Sequence, residues 1–330
     1  MNRAKVDFWA FRAKHDLRAI QKALAGVFAG SPQVPRLQYR KSGWKGYEAC
    51  ADVLLGDMAV GIVAHGGKNQ RGWAYVGITG RGCEWVKDWD RAQEAAEGCP
   101  EYEVKRIDLA VDTFSKDTGF EATLAAYRAG EFAPAGAGGR PPKCTTIMGE
   151  RPQDGRTINV GNRERDKFYR GYEKGKQMLG PSITAAIQRD PESFDWGDWL
   201  MATLPVFEDG EMRALSMWDW FRHEVELKPK SAPLPDDIIE RRDQYFTGAY
   251  PYLSKVLQGV EPEALVMRRE RGPQLDLSLA LANVRRMFGD TLFTALVAHH
   301  GDIGAVWSKI VGKKHNQNLL RAGVLLVDHD

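Results

Sequence analysis

Lys105 to Phe114 reads KRIDLAVDTF, and no other stretch constrains the fold as tightly. Arg106, Asp108, Ala110 and Asp112 alternate there with Ile107, Leu109 and Val111. Successive side chains of a strand point to opposite faces, so one face is apolar and belongs in a core while the other carries charge. Trp220 to Lys228, WFRHEVELK, repeats the pattern, with Arg222, Glu224, Glu226 and Lys228 set against His223, Val225 and Leu227. On the first strand Asp108 and Asp112 stand about 13–14 Å apart at ~3.4 Å per residue. Both cannot ligate a single ion without a bulge, which leaves one of them structural.

A third stretch, Thr157 to Gln177, reads TINVGNRERDKFYRGYEKGKQ. TINV begins a strand, and Gly161 and Asn162 permit a break or bulge. KFYRGYEKG then resumes strand character, with Phe168, Arg170, Tyr172 and Lys174 on one face. Counted from Arg156, the segment holds seven cations against three acids, a net +4. A tyrosine flanked by Arg170 and Lys174 at two-residue spacing suits in-line attack on a phosphodiester. The hydroxyl supplies the nucleophile and the cations neutralise the phosphoryl oxygens. The same letters also fit a half-exposed strand on which Tyr172 packs and the cations are solvated.

Carboxylates from the other two strands, Asp108, Asp112, Glu224 and Glu226, converging beside the tyrosine would form an oxygen-only site suited to Mg²⁺ or Mn²⁺. Such an ion polarises a phosphodiester and favours the phenolate, whose parent hydroxyl has a pKa of about 10. Cross-strand pairing of these acids with Arg106 or Arg222 is the plainer alternative. His223 falls on the apolar face and reads as packing. His299 and His300 have no hydrophobic residue between them, so a His-hydrophobic-His nickase is not written here. Tyr169 and Tyr172 point to opposite faces, and only one can reach the site.

Taken in order, KRIDLAVDTF, VGNRERDKFYRGYEKGKQ and WFRHEVELK resemble the trans-acting replication initiation factors of rolling-circle plasmids and filamentous phages. That family's patterns run R-[IL]-D-[LI]-A-x-D, then G-x-R-x-S-x-x-x-x-R-x-Y-x-K, then R-x-E-x-E-L-K. The resemblance spans residues 100–230, with a weaker echo in VDFWAFR that adds Asp7 as a further carboxylate. Departures are Glu164 and Arg165 where a Ser is common, Gly171 in place of a β-branched residue before the tyrosine, and an insertion-like stretch after Gln177.

The resemblance selects Tyr172 and implies sequence- and strand-specific DNA nicking and rejoining through a 5′-phosphotyrosine with a divalent metal. It implies origin DNA, single-stranded or cruciform, as the partner, with a host polymerase primed by the freed 3′-hydroxyl. A host helicase and a homodimer are the further partners it raises. It also implies a catalytic domain of two pseudo-equivalent halves. Two rivals stay open: a non-catalytic DNA-binding regulator of the same fold, and a tyrosine recombinase forming a 3′-phosphotyrosine.

The rest of the chain sets the frame. Its 330 residues carry a net charge of only +2, so any nucleic-acid face must be a local patch. Four scattered cysteines without a CxxC point to reduced thiols and no structural zinc. The first residues, MNRAKVDFWAFRAKHDLR, lack an apolar core, and no run approaches a membrane span, so a cytoplasmic protein is expected, and the resemblance implies a bacterial host. Strands at Val6–Arg12, Tyr47–Leu55, Met58–His65, Trp73–Ile78, Tyr102–Phe114, Cys144–Met148 and Met217–Lys228 and helices at Asp16–Phe28, Asp88–Glu97, Gly119–Gly130 and 182–204 give an α+β fold with a mainly antiparallel sheet. APAGAGGRPP at Ala133–Pro142 reads as a flexible insert. PKSAPLP at Pro229–Pro235 marks a boundary between a nicking and joining domain, 1–230, and a helical C-terminal region, 231–330. That region holds twelve acids and twelve bases, so it is not a basic DNA-wrapping tail. Helices are expected from Leu277 to Phe288, Leu292 to His299 and Ile303 to Val311, the last forming a helical hairpin or a helix-turn-helix around Gly312.

Overall fold

The alternating segments assemble into a ten-stranded sheet, antiparallel at every pairing, in the computed structural model. The structure describes residues 3–133, 142–195, 206–209, 211–214, 217–228, 234–265, 277–312 and 314. The strands are β1 (Lys5–Lys14), β2 (Arg36–Tyr39), β3 (Ala49–Leu55), β4 (Met58–His65), β5 (Trp73–Ile78), β6 (Glu103–Thr113), β7 (Cys144–Met148), β8 (Arg156–Gly161), β9 (Lys167–Tyr172) and β12 (Phe221–Leu227). A separate ribbon pairs β10 (Val206–Asp209) with β11 (Glu211–Ala214). Among the described residues there are nine α-helices: α1 (Leu17–Val27), α2 (Gly80–Cys83), α3 (Trp89–Glu97), α4 (Phe120–Arg128), α5 (Lys174–Arg189), α6 (Arg242–Ala249), α7 (Leu253–Val256), α8 (Leu277–Ala298) and α9 (Ile303–Ile310). The α+β class and the antiparallel sheet expected from the sequence are present.

Across the sheet the order is β2-β3-β4-β5-β1-β6-β12-β9-β8-β7. Read outward from its middle, each half runs first strand, last strand, then the remaining three in reverse. Each half also sends its first strand into a helix, α1 after β1 and α4 after β6 (by way of a 3₁₀ turn). The two halves are therefore equivalent in topology, as the resemblance implied. The first strands, β1 and β6, pair with each other and join the halves.

Alternation decides which face is buried. Trp9, Phe11, Ile107, Leu109, Val225, Leu227, Ile158 and Val160 are fully or almost fully buried in one core cluster. Helix α1 adds Ile20, Ala23, Leu24 and Val27, and begins at Asp16, whose carboxylate accepts the backbone N–H groups of Arg18 and Ala19. It packs against α3 at Gly26, where a Cβ would collide with Ala95.

Several segments differ from the sequence reading. β9 ends at Tyr172, the last residue it pairs with β12, and Lys174 opens α5, whose Gly175 N–H donates to the Trp220 carbonyl at 3.0 Å. The helix expected over 182–204 is the second half of α5 up to Arg189; residues 196–205 lie outside the described ones. The last strand starts at Phe221, after a 3₁₀ turn at Met217–Asp219. Most of the Ala133–Pro142 insert and the chain beyond Gly312, apart from Lys314, also lie outside the described residues.

Two compact units divide after Met267, so Pro229–Pro235 falls within the first. The chain after it returns to the core: Leu234, Ile238, Tyr245, Phe246, Tyr250 and Leu253 are buried there. Asp243 on α6 accepts the backbone N–H groups of Arg3 and Ala4, at 3.0 and 2.7 Å, tying this return to the start of β1. In the second unit, α8 is one helix of 22 residues where two were expected, and α9 follows. Among the described residues, no helix is long and apolar enough to cross a membrane.

Candidate active site

Three adjacent strands put the candidate residues on one face. β6 and β12 pair Asp108 with Glu226, Ala110 with Glu224, and Asp112 with Arg222. β12 and β9 pair Arg222 with Tyr172, Glu224 with Arg170, and Glu226 with Phe168. Residues directly opposite in an antiparallel pair share a face, so Tyr172, Arg170, Glu224, Glu226, Asp108 and Asp112 all lie on the face turned away from the core. Tyr169 and His223 lie on the other face, fully buried, with the Tyr169 hydroxyl 2.8 Å from His223 Nδ1. Burial pushes the His223 pKa down to about 3 and keeps the ring neutral.

The carboxylates fall into two groups. Asp108, Glu224 and Glu226 are 3–4% exposed and occupy neighbouring positions. Arg106 holds Asp108 through two bonds of 2.8 and 2.6 Å and reaches Glu226 at 3.0 Å. Lys228 lies 2.8 Å from Glu226, and Arg170 lies 2.6 Å from Glu224. Burial nevertheless pushes the Asp108 pKa up to about 7, with the charges of Glu224 and Glu226 adding to it and Arg106 opposing. Burial likewise raises Glu224.

Asp112 stands apart. Arg222 grips it bidentately at 2.7 and 2.8 Å and also bonds Asp7 at 2.7 Å, while Lys5 reaches Asp112 at 3.1 Å. Burial works against ionisation at Asp112, but the Arg222 fork outweighs it and holds the pKa below the usual range. Asp7 reaches this pair because β1 is irregular between Val6 and Phe8, where its register against β6 shifts.

Tyr172 borders a cleft of about 450 Å³ that Thr157, Asn159, Arg163, Phe168 and Arg170 also line. The Arg170 guanidinium carbon is 5.0 Å from the centre of the Tyr172 ring, and Lys174 Nζ is 5.9 Å from it. Arg170 thus lies between the phenol and Glu224, and its Nε is buried without a hydrogen-bond partner among the described residues. Lys174 approaches from the first turn of α5, where its ammonium donates to Gln177 Oε1 at 3.0 Å. Burial pushes the Tyr172 pKa up to about 12, and the charge of Glu224 adds to it. A neutral phenol is therefore the resting form, and attack requires a means of removing its proton. Asn159 and Arg163 were not singled out from the sequence as site residues; only the density of cations between Arg156 and Lys176 signalled that a basic cleft lies here.

Among the described residues no three His, Cys, Asp or Glu side chains are already gathered to hold a metal. Asp108, Glu224 and Glu226 are oxygen donors of the kind a hard divalent cation takes, and they occupy neighbouring buried positions. Arg106, Arg170 and Lys228 hold these acids now, so an ion would compete with their charges.

Residues 102–184, which cover β6 to the middle of α5, match the family model of replication initiation factors. The fold is also similar to a solved one, the rolling circle replication initiator protein from Geobacillus stearothermophilus. That match has a TM-score of 0.50 and 18% sequence identity, and covers 78% of this chain and 85% of that one. At this identity the likeness concerns the fold. No curated protein matches the chain.

Proposed function

We propose that this protein initiates rolling-circle replication by nicking one strand of its origin DNA and later rejoining it. The observation that carries the reading is Tyr172 on the charged sheet face, with Arg170 beside it on β9, Lys174 approaching from the first turn of α5, and three buried carboxylates on the neighbouring strands. The family match to replication initiation factors and the fold of a solved rolling-circle initiator support it.

In this mechanism the Tyr172 oxygen attacks the scissile phosphorus and loses its proton to solvent or a neighbouring carboxylate. The bond from phosphorus to the 3′-oxygen breaks, that oxygen takes a proton, and the 5′-phosphate stays on Tyr172 as an ester. Arg170 and Lys174 neutralise charge that develops on the phosphoryl oxygens. Asp108, Glu224 and Glu226 would hold Mg²⁺ or Mn²⁺, with Asp112 kept structural by Arg222. When bound, such an ion polarises the phosphodiester and stabilises the attacking or leaving oxygen. The freed 3′-hydroxyl primes a host polymerase, and the reverse attack recircularises the displaced strand.

The test is to incubate the protein with a supercoiled replicon and divalent metal, then map the nick and any covalent adduct. Tyr172→Phe should abolish the adduct and leave DNA binding close to parental. An adduct of unchanged polarity in that variant would transfer the role to another residue. A 3′-phosphotyrosine formed without metal would instead mark a recombinase, and binding with no nick a regulator.

A further inference from the structure

The tyrosine cleft does not end at Arg163. Beyond it lies a second cavity of about 630 Å³, bordered by Lys143, Asn162, Arg163, Arg165, Lys167 and Tyr250. Thr145 and Arg163 line both cavities, so the two adjoin on the β7–β8–β9 side of the sheet. The turn from β8 to β9 builds the junction. Gly161 takes a left-handed φ of +102° and donates its N–H to the Lys143 carbonyl at 2.8 Å, while the Asn162 side chain accepts the Glu164 N–H. This turn carries Arg163 and Arg165 to the rim.

The charge of this cavity is one-sided. Four of its lining residues are cations, and among the described residues lining it none is acidic. Lys167 is half-buried; its ammonium donates to the Ala249 carbonyl at 2.5 Å and lies 4.4 Å from the Tyr250 ring centre. Burial lowers its pKa. Among the described residues Arg163 reaches the Glu226 carboxylate only at 3.9 Å, whereas Arg106, Arg170, Arg222 and Lys228 on the charged sheet face are each matched to a carboxylate at 3.0 Å or less. Cations lining a cavity that no described acid lines, with Glu164 and Asp166 of the same turn set outside it, invite an anion, and a cavity of this volume suits one flexible chain of small-ligand width rather than a duplex.

We infer that this cavity binds the phosphodiester backbone of single-stranded DNA flanking the bond at Tyr172, on one side of it. The inference rests on the proposed nicking reading for its direction, since Arg163 would bridge the scissile phosphate's cleft to the flanking one. The cations contact phosphates, so the site is sequence-tolerant and salt-sensitive.

The test uses Lys143→Ala/Arg165→Ala, both exposed side chains whose loss should not disturb the fold. Binding of a short and a long oligothymidylate is followed by fluorescence anisotropy over a salt series, in EDTA so that no cleavage occurs. The parental protein should prefer the long strand, and the double variant should lose most of that preference. Its salt slope on the long strand should also shrink by about 0.7 for each phosphate no longer neutralised. Parental length preference and parental slope in the variant would overturn the inference. Equal weakening on both strands would overturn it too, because the cations would then act only through their general field. Substrates extended on only the 5′ or only the 3′ side of the nick then assign the side. A protein that forms no tyrosine adduct sinks the nicking reading and leaves this binding test standing, whereas a failed binding test leaves nicking untouched.

Discussion

Gly171 precedes the candidate nucleophile, and the structure explains why it carries no side chain. It faces the core directly opposite His223. A Cβ built there would meet the Tyr169 hydroxyl and lie 2.9 Å from two atoms of the Phe221 ring. Tyr169 and Phe221 are both buried, and the Tyr169 hydroxyl crosses over Gly171 to reach His223 Nδ1 at 2.8 Å. Gly171→Ala therefore overpacks the site, at about 1–3 kcal/mol. If Tyr169 turns away to make room, its buried hydrogen bond is lost as well, for another ~0.5–1.5 kcal/mol. A total of about 2–4 kcal/mol is expected from denaturant unfolding followed by fluorescence. The decisive comparison adds Tyr169→Phe, which removes the obstructing oxygen. Gly171→Ala should cost at least ~1 kcal/mol less in that background, a coupling typical of side chains in contact. Costs that simply add, or a neutral Gly171→Ala, would refute the packing argument. Single-turnover cleavage by Gly171→Ala should fall along with stability, because the displaced backbone carries Tyr172.

Arg170→Lys keeps the charge but loses the fork on Glu224, so single-turnover cleavage should drop more than DNA affinity; a parental rate would confine Arg170 to packing. Arg222→Ala leaves buried Asp112 with only the exposed Lys5 as partner and should cost about 3 kcal/mol or more in denaturant unfolding, whereas a loss below ~1 would mean that Lys5 and water compensate the charge. For the metal, saturation at about 100 Kd should stabilise the parental protein by ~2.7 kcal/mol in thermal unfolding, and Asp108→Asn or Glu224→Gln should abolish that gain. An identical metal-induced shift in both variants would place the ion elsewhere.

What could be read in the sequence was whatever alternation or helical spacing writes locally. The faces of β6, β9 and β12 follow from period two, and α1, α3 and α4 from their apolar stripes and Asp or Gly caps. β2 has only four residues, mostly exposed, and leaves no such mark. Helix α6 buries Asp243, Tyr245, Phe246, Thr247 and Ala249, too much of its circumference for a clean stripe, so its return to the core was not legible. Lys174 shows another limit. Alternation continues through it in the sequence, but the chain turns into α5 there even though Glu173 still donates its N–H to the Arg156 carbonyl of β8. Register was equally hidden. That Asp108 faces Glu226 while Asp112 faces Arg222 depends on loops closing at particular lengths, and it divides four look-alike acids into two groups.

The equivalence of the two halves sharpens what that division means. Strand for strand, β5 occupies in the first half the place β12 occupies in the second. Its residues on the corresponding face are Trp73, Tyr75 and Gly77, where β12 carries Arg222, Glu224 and Glu226. The first half thus builds the same strand order without buried carboxylates at that place, so the frame does not require them. Taking an ion out of water costs several kcal/mol even after relaxation, and apolar replacements of buried pairs are often neutral or stabilising. Three buried acids on two paired strands, with Asp108 pushed to a pKa of about 7, are therefore poorly explained as stabilisers of the sheet. Strained ionisation beside a cleft that holds a tyrosine and cations is the pattern expected where charge is kept for chemistry.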